Sequence, residues 1–165
     1  MLPVAQVLSA LDPGGWMVAL DLQVACFHMP ILQAHRRYLS LKVGQEHFQF
    51  KVLPFGLTSA PRVFTEVMAW LQLTFWRSGI PVFPYLDDWL LKAGSAQTVA
   101  NHLQTTVDLL YSLGFTINVP KSHLTLSQTL PFIGAILDMV QFHAYPPEQE
   151  SPEHSGYDND VSPSI

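Results

Sequence analysis

Tyr85-Leu86-Asp87-Asp88 lies between two apolar runs, Ile80-Pro81-Val82-Phe83-Pro84 and Trp89-Leu90-Leu91, and reads as a tight β-hairpin with two adjacent carboxylates at its tip. Like charges this close raise each other's pKa and destabilise the turn unless something positive, above all a divalent metal, sits over them. A further acid, Asp21, ends the apolar run Trp16-Met17-Val18-Ala19-Leu20. Three carboxylates at strand ends are the minimum for holding two Mg²⁺ ions a few Å apart, the arrangement that serves phosphoryl transfer. An Asp-Asp pair alone is ordinary turn chemistry. The buried strands on both sides and the third acid favour the metal reading.

The chain of 165 residues, 48% hydrophobic and 12% aromatic, suffices for one domain with its own core. Pro, Asp, Gln or Arg interrupts every apolar run before membrane-spanning length, so no transmembrane helix is expected. Met1 to Ala10 lacks the basic start and cleavage site of a signal peptide and reads as part of a helix. Cys26 is the single cysteine; an intramolecular disulfide is excluded and an intracellular setting is expected. Eight Lys+Arg against 13 Asp+Glu is the wrong balance for a self-sufficient nucleic-acid binder, because cations on phosphate supply most non-specific affinity. Either the chain holds no nucleic acid, or its basic neighbours belong to a longer protein. The seven histidines show no i,i+4 pair and no Cys partner of the kind zinc sites use, so they read as structural or surface residues.

Along the chain, residues 4–11 look helical, with a turn at Asp12-Pro13-Gly14-Gly15 and a buried strand from Trp16 to Leu22. Tyr38 to Val43 and His47 to Val52 alternate around Gly44-Gln45-Glu46, a hairpin signal. After the loop Leu53-Pro54-Phe55-Gly56-Leu57, Thr58 or Ser59 can cap a helix that has Pro61 in its first turn and runs to Gly79. The carboxylate hairpin spans 81–92. Ser95 caps a second helix, stopped by Gly114. Short strands are expected at Phe115 to Ile117, Ser122 to Leu126 and Phe132 to Leu137. From 146 onward Pro, Glu, Ser, Asp and Asn without aliphatic periodicity predict a disordered tail, leaving 1–145 as the folded unit. With the Tyr38 to Val52 hairpin set aside as an insertion, the order is β-α-β-β-α-β. An α+β fold follows, with an antiparallel sheet and both helices on one face. Its topology lets Asp21 converge with Asp87 and Asp88.

These residues resemble a known family, the palm of reverse transcriptases, and within it the retrotransposon enzymes of the DIRS type. Ala19-Leu20-Asp21-Leu22-Gln23-Val24-Ala25-Cys26-Phe27-His28-Met29-Pro30 resembles the first palm motif, usually Leu-Asp-Leu-x-Asp-Ala-Tyr-Phe-x-x-Pro. Leu53-Pro54-Phe55-Gly56-Leu57-Thr58-Ser59-Ala60-Pro61 is similar to the second, beneath template and incoming nucleotide. Tyr85-Leu86-Asp87-Asp88 matches the third, and Leu113-Gly114-Phe115-Thr116-Ile117-Asn118 with Lys121-Ser122 resembles the fourth. Leu130-Pro131-Phe132-Ile133-Gly134 resembles the fifth, the hairpin that grips the primer. Five motifs in this order, over residues 2–145, are far more specific than any one alone.

The resemblance implies a polymerase palm with partial fingers and no thumb, using Mg²⁺ or Mn²⁺ to join a dNTP to a primer 3′-hydroxyl on an RNA or DNA template. Asp21, Asp87 and the Leu22 carbonyl would be metal ligands, and Asp88 would complete the acidic cluster. Lys121 would be the candidate general acid for pyrophosphate, its other reading being a solvated edge lysine. Cys26, Phe27, Phe55 and Gly56 would border the nucleotide, although Phe55 taken alone reads as a core residue; Phe132, Ile133 and Gly134 would form the primer grip. Two positions depart from the pattern. Val24 stands where the family usually has a second acid, and Cys26 where it has the aromatic that blocks a ribose 2′-hydroxyl. The expected role is therefore the RNA-directed DNA polymerase domain of a retrotransposon polyprotein that also carries ribonuclease H, with the isolated chain inactive and binding nucleic acid only weakly. The alternative is a decayed or co-opted palm fragment acting at most as an interaction module. A metal-dependent phosphohydrolase has only the acidic triad in its favour and lacks a water-activating base.

Overall fold

The computed structural model describes residues 13–146, so the helix expected at 4–11 and the tail beyond Pro146 lie outside the described residues. Strand β1 (Trp16–Asp21) is followed by a 3₁₀ turn (Ala25–His28), a single helical turn α1 (Gln33–Arg36) and the hairpin β2 (Ser40–Val43) and β3 (Glu46–Gln49). Helix α2 (Ala60–Arg77) leads into β4 (Val82–Tyr85) and β5 (Asp88–Ala93), and helix α3 (Ala96–Ser112) into β6 (His123–Ser127). Then come β7 (Thr129–Phe132), β8 (Ala135–Asp138) and β9 (His143–Tyr145).

The central sheet has the order β4-β5-β1-β6 and is antiparallel throughout. This is the expected β-α-β-β-α-β topology. Both β1 and β5 have four consecutive buried residues instead of an in-out alternation, because each packs on two layers. Val18, Leu20, Trp89 and Leu91 face the helices, against Phe64, Met68, Phe75, Val99 and Leu110. Met17, Ala19, Phe83 and Leu90 face the other way, against Leu130, Phe132, Leu137 and Met139. Both helices thus lie on one face, while the three-stranded sheet β7-β8-β9 covers part of the other.

The local signals for the helices act as read from sequence, with one exception. The Ser95 hydroxyl accepts from the Thr98 amide at 3.2 Å. Ser59 occupies the corresponding position of α2 without a side-chain capping bond, and Pro61 sits in the first turn. Two strand expectations change. Phe132 to Leu137 is not one strand but the turn of a hairpin, because Ile133 and Gly134 adopt φ 49° and 71° and fold β8 back on β7. The stretch from Phe115 to Ile117 keeps a single bridge, Leu22 opposite Ile117.

The insertion between β1 and α2 is a two-stranded antiparallel ribbon. A bridge between Pro30 and Val52 and two backbone bonds, Ile31 N–H to Lys51 O (2.9 Å) and Leu53 N–H to Met29 O (2.9 Å), root it in the domain. Beyond this root β2 and β3 are exposed on both faces.

Candidate active site

Asp21 and Asp88 are direct cross-strand partners at the end of the β1/β5 ladder. Alternation places both on the face turned away from the helices. Asp87 belongs to the two-residue turn Leu86-Asp87 closing β4 and β5, in which Leu86 takes φ 52°. A left-handed leucine is costly, and such strain gathers where structure over-determines a site. The Leu22 amide donates to the Asp87 carbonyl at 2.8 Å, so the chain leaving β1 is bonded to the turn itself.

Burial and then the nearby Asp87 and Asp21 carboxylates push the Asp88 carboxyl above the usual range, with Lys121 opposing them. All four side chains are therefore within electrostatic reach. Lys121 arrives there through a second tether. The Asn118 amide donates to the Asp21 carbonyl at 2.8 Å, and the Asp21 amide donates to the Ser122 hydroxyl at 2.9 Å. The Ser122 hydroxyl in turn donates to the Asn118 carbonyl at 2.9 Å. Ser122 stands in the fourth motif, but nothing in the sequence shows that it orients Asp21, 101 positions away.

A cleft of about 150 Å³ opens here, lined by Asp21, Asp88, Lys121, His123, Ile133 and Gly134 among others. Phe132 also borders it but is only 5% exposed, as part of the second core cluster. The exposed Pro131 and the turn Ile133-Gly134 are thus what the fifth motif presents to the cleft.

Burial first and Asp87 second push the half-buried Cys26 thiol up. Asp87 is therefore within electrostatic reach of both Asp88 and Cys26. Phe27 and Phe55 pack with ring centroids 4.9 Å apart. Phe55 is 60% exposed, which corrects its reading as a core residue. Its loop is turned outward by Gly56 at φ 85°, a conformation that favours glycine. Val24, where a second acid was expected, adopts φ 45° and ψ 45°, a left-handed conformation unfavourable for a β-branched side chain.

Among the described residues no three His, Cys, Asp or Glu side chains already converge as ligands of one metal ion. The donors still suit a hard cation, being acidic oxygens on one sheet face and an adjoining turn, with Asp88 shifted in the direction that positive charge would reverse.

A four-stranded antiparallel sheet with two helices on one face and strand-end carboxylates on the other is the architecture of a polymerase palm. The chain belongs to the reverse transcriptase (RNA-dependent DNA polymerase) family, whose model matches residues 5–137. It is 31% identical over 127 residues to the Gag-Pol polyprotein of Rous sarcoma virus subgroup B, covering 71% of this chain and 8% of that protein. To Protein P of duck hepatitis B virus it is 27% identical over 124 residues, 73% of this chain and 16% of the relative. The enzymatic polyprotein of figwort mosaic virus is 24% identical over 151 residues, 86% of this chain and 20% of that one. The foamy viral protease-reverse transcriptase, solved in complex with dsDNA, superposes with a TM-score of 0.76 at 18% identity, covering 89% of this chain and 29% of the other. A second structure of that enzyme, with an RNA/DNA hybrid, gives a TM-score of 0.68. The chain thus spans less than a fifth of the first two relatives, and among its described residues no helix is long and apolar enough to cross a membrane.

Proposed function

We propose that this chain is the palm, with part of the fingers, of an RNA-directed DNA polymerase from a retrotransposon polyprotein. The carrying observation is the cleft that gathers Asp21, Asp88, Lys121 and the Ile133-Gly134 turn from four separate motifs. Asp21, Asp87 and Asp88 with the Leu22 carbonyl would hold Mg²⁺. When bound, the metal would lower the pKa of a primer 3′-hydroxyl and neutralise charge on the triphosphate.

The remaining steps belong to the protein's own groups. The Ile133-Gly134 turn holds the primer end beside Asp21. The Lys121 ammonium, on the cleft wall, gives a proton to the leaving pyrophosphate. Phe27 and Phe55 offer an exposed aromatic surface to the incoming nucleotide, and Cys26 borders its sugar, where a small side chain leaves room for a 2′-hydroxyl. RNA or DNA template, primer and dNTP are the partners, in keeping with the nucleic acids present in the foamy viral complexes.

The test supplies fingers and thumb from a related enzyme. The chimera should extend a primer in a Mg²⁺-dependent way, and Asp21→Asn should lower the rate at least on the order of 10²-fold, the scale of losing one main electrostatic stabiliser. Unchanged extension in that variant sinks the reading. Weak Mn²⁺ binding by the chain alone should disappear in Asp87→Asn. A second reading, a palm that has lost catalysis, is favoured by the two departures from the motif, Cys26 and Val24, the latter strained where the family usually has an acid. A chimera that binds Mn²⁺ but never extends a primer selects it.

A further inference from the structure

The net charge of −5 has a single address. Residues 1–146 contain eight acids and eight Lys+Arg, whereas residues 147–165 contain Glu148, Glu150, Glu153, Asp158 and Asp160 with no Lys or Arg. The cations are equally uneven, with Arg36, Arg37, Lys42 and Lys51 falling within 16 positions beside one acid, Glu46. All four sit on the ribbon that projects from the domain, three of them exposed. Among the described residues none of the four has an ion-pair partner. Arg36 donates to the Ile31 carbonyl, and Arg37 donates to the Tyr38 hydroxyl while lying 4.8 Å over its ring. Of the four cations elsewhere, the exposed Arg77 at the end of α2 also has no ion-pair partner among the described residues, and the other three are engaged. Arg62 pairs with Glu66 at 3.1 Å, Lys121 faces Asp88, and Lys92 is buried near the Phe83 ring.

We propose that the acidic segment 147–165 docks on the basic ribbon of residues 31–52 and competes there with nucleic-acid phosphates. Reach is sufficient. Nineteen residues span at most about 65 Å, against a radius of gyration near 14 Å for a domain of this size. Tethering on this scale gives effective concentrations in the millimolar range, enough for several weak exposed ion pairs to act together. Docking stands independently of the polymerase reading; only the competition rests on it.

The experiment uses the full chain and a variant with Glu148→Gln, Glu150→Gln, Glu153→Gln, Asp158→Asn and Asp160→Asn. Zero-length carbodiimide cross-linking of the wild type at low salt should join Lys42 or Lys51 to the segment, and amide shifts within 31–52 should change in the variant. Binding to a fluorescein-labelled twenty-residue oligo-dT should tighten on the order of 10-fold in the variant at about 50 mM salt, and the gain should vanish near 0.5 M. Absent cross-links together with unchanged shifts overturn docking, whatever the activity of the chimera. Cross-links with unaltered oligo-dT affinity overturn the competition. A Lys42→Glu, Lys51→Glu chain should lose the cross-links while keeping its dispersed amide spectrum.

Discussion

Two residues carry charge or strain that measurement can read directly. Val24 holds a left-handed backbone that asparagine tolerates far better. Val24→Asn should therefore stabilise the chain by about 1 kcal/mol in urea unfolding, and an unmoved midpoint would show that the strain is absent. Asp88 has its carboxyl raised by burial and by two like charges. Its folded form thus binds a proton more tightly than its unfolded form. The native state is favoured below the unfolded pKa, and that advantage is lost as pH rises through the folded value. Asp88→Asn should raise the thermal midpoint at pH 7 without Mg²⁺, with the gain shrinking as the pH is lowered toward 3. An equal gain at both pH values would mean that Asp88 carries no electrostatic penalty.

Elements were legible in proportion to how locally they are decided. Apolar runs at Trp16 and Trp89, the Pro61 start and Gly79 stop, and the Ser95 cap marked the central strands and both helices, because each depends on neighbours in sequence. By its apolar pattern Phe132 to Leu137 reads as one strand, because Ile133 disguises a turn that only the left-handed backbone reveals. The bond from the Asp21 amide to Ser122 left no signal, since a serine can cap, turn or face solvent equally well. The opposition of Asp21 and Asp88 was foreseeable from the topology, whereas the position of Asp87 beside Cys26 was not. Helix α2 also seals the edge of the sheet: Gln72 at 3.0 Å and Trp76 at 2.9 Å both donate to the Val82 carbonyl of β4. Replacing Trp76 by Phe should cost about 1 kcal/mol, and adding Gln72→Leu should promote self-association visible in sedimentation velocity, by baring the edge. On α3, burial pushes His102 below its usual pKa, and its Nδ1 has no hydrogen-bond partner. The charged form is disfavoured in the fold, so stability is full above the ordinary histidine range and falls as pH drops through it. His102→Gln should flatten that dependence between pH 7 and 5; an unchanged slope would assign it to another group.

For the molecule as a whole, the two core layers divide the labour. The helix-side cluster holds the sheet together, while the second cluster fixes the three-stranded sheet, and with it the Ile133-Gly134 turn, against the carboxylates. Leu137, fully buried in that second layer, is the place to separate them. Leu137→Ala should cost about 3 kcal/mol and speed amide exchange in β7 to β9 more than in α3; uniform acceleration would mean that the layers open as one. The central position of β1 also governs the order of events during folding. The first strand of the sheet to be synthesised must wait for β5 to satisfy one edge and for β6 to satisfy the other, the Ser122 tether closing across 101 positions. Folding dominated by such distant pairings is slow. On a ribosome, β1 would therefore stay unpaired until β5 had emerged and keep one bare edge until β6 followed, so the chaperone requirement of this chain is set by the strand that carries its first carboxylate.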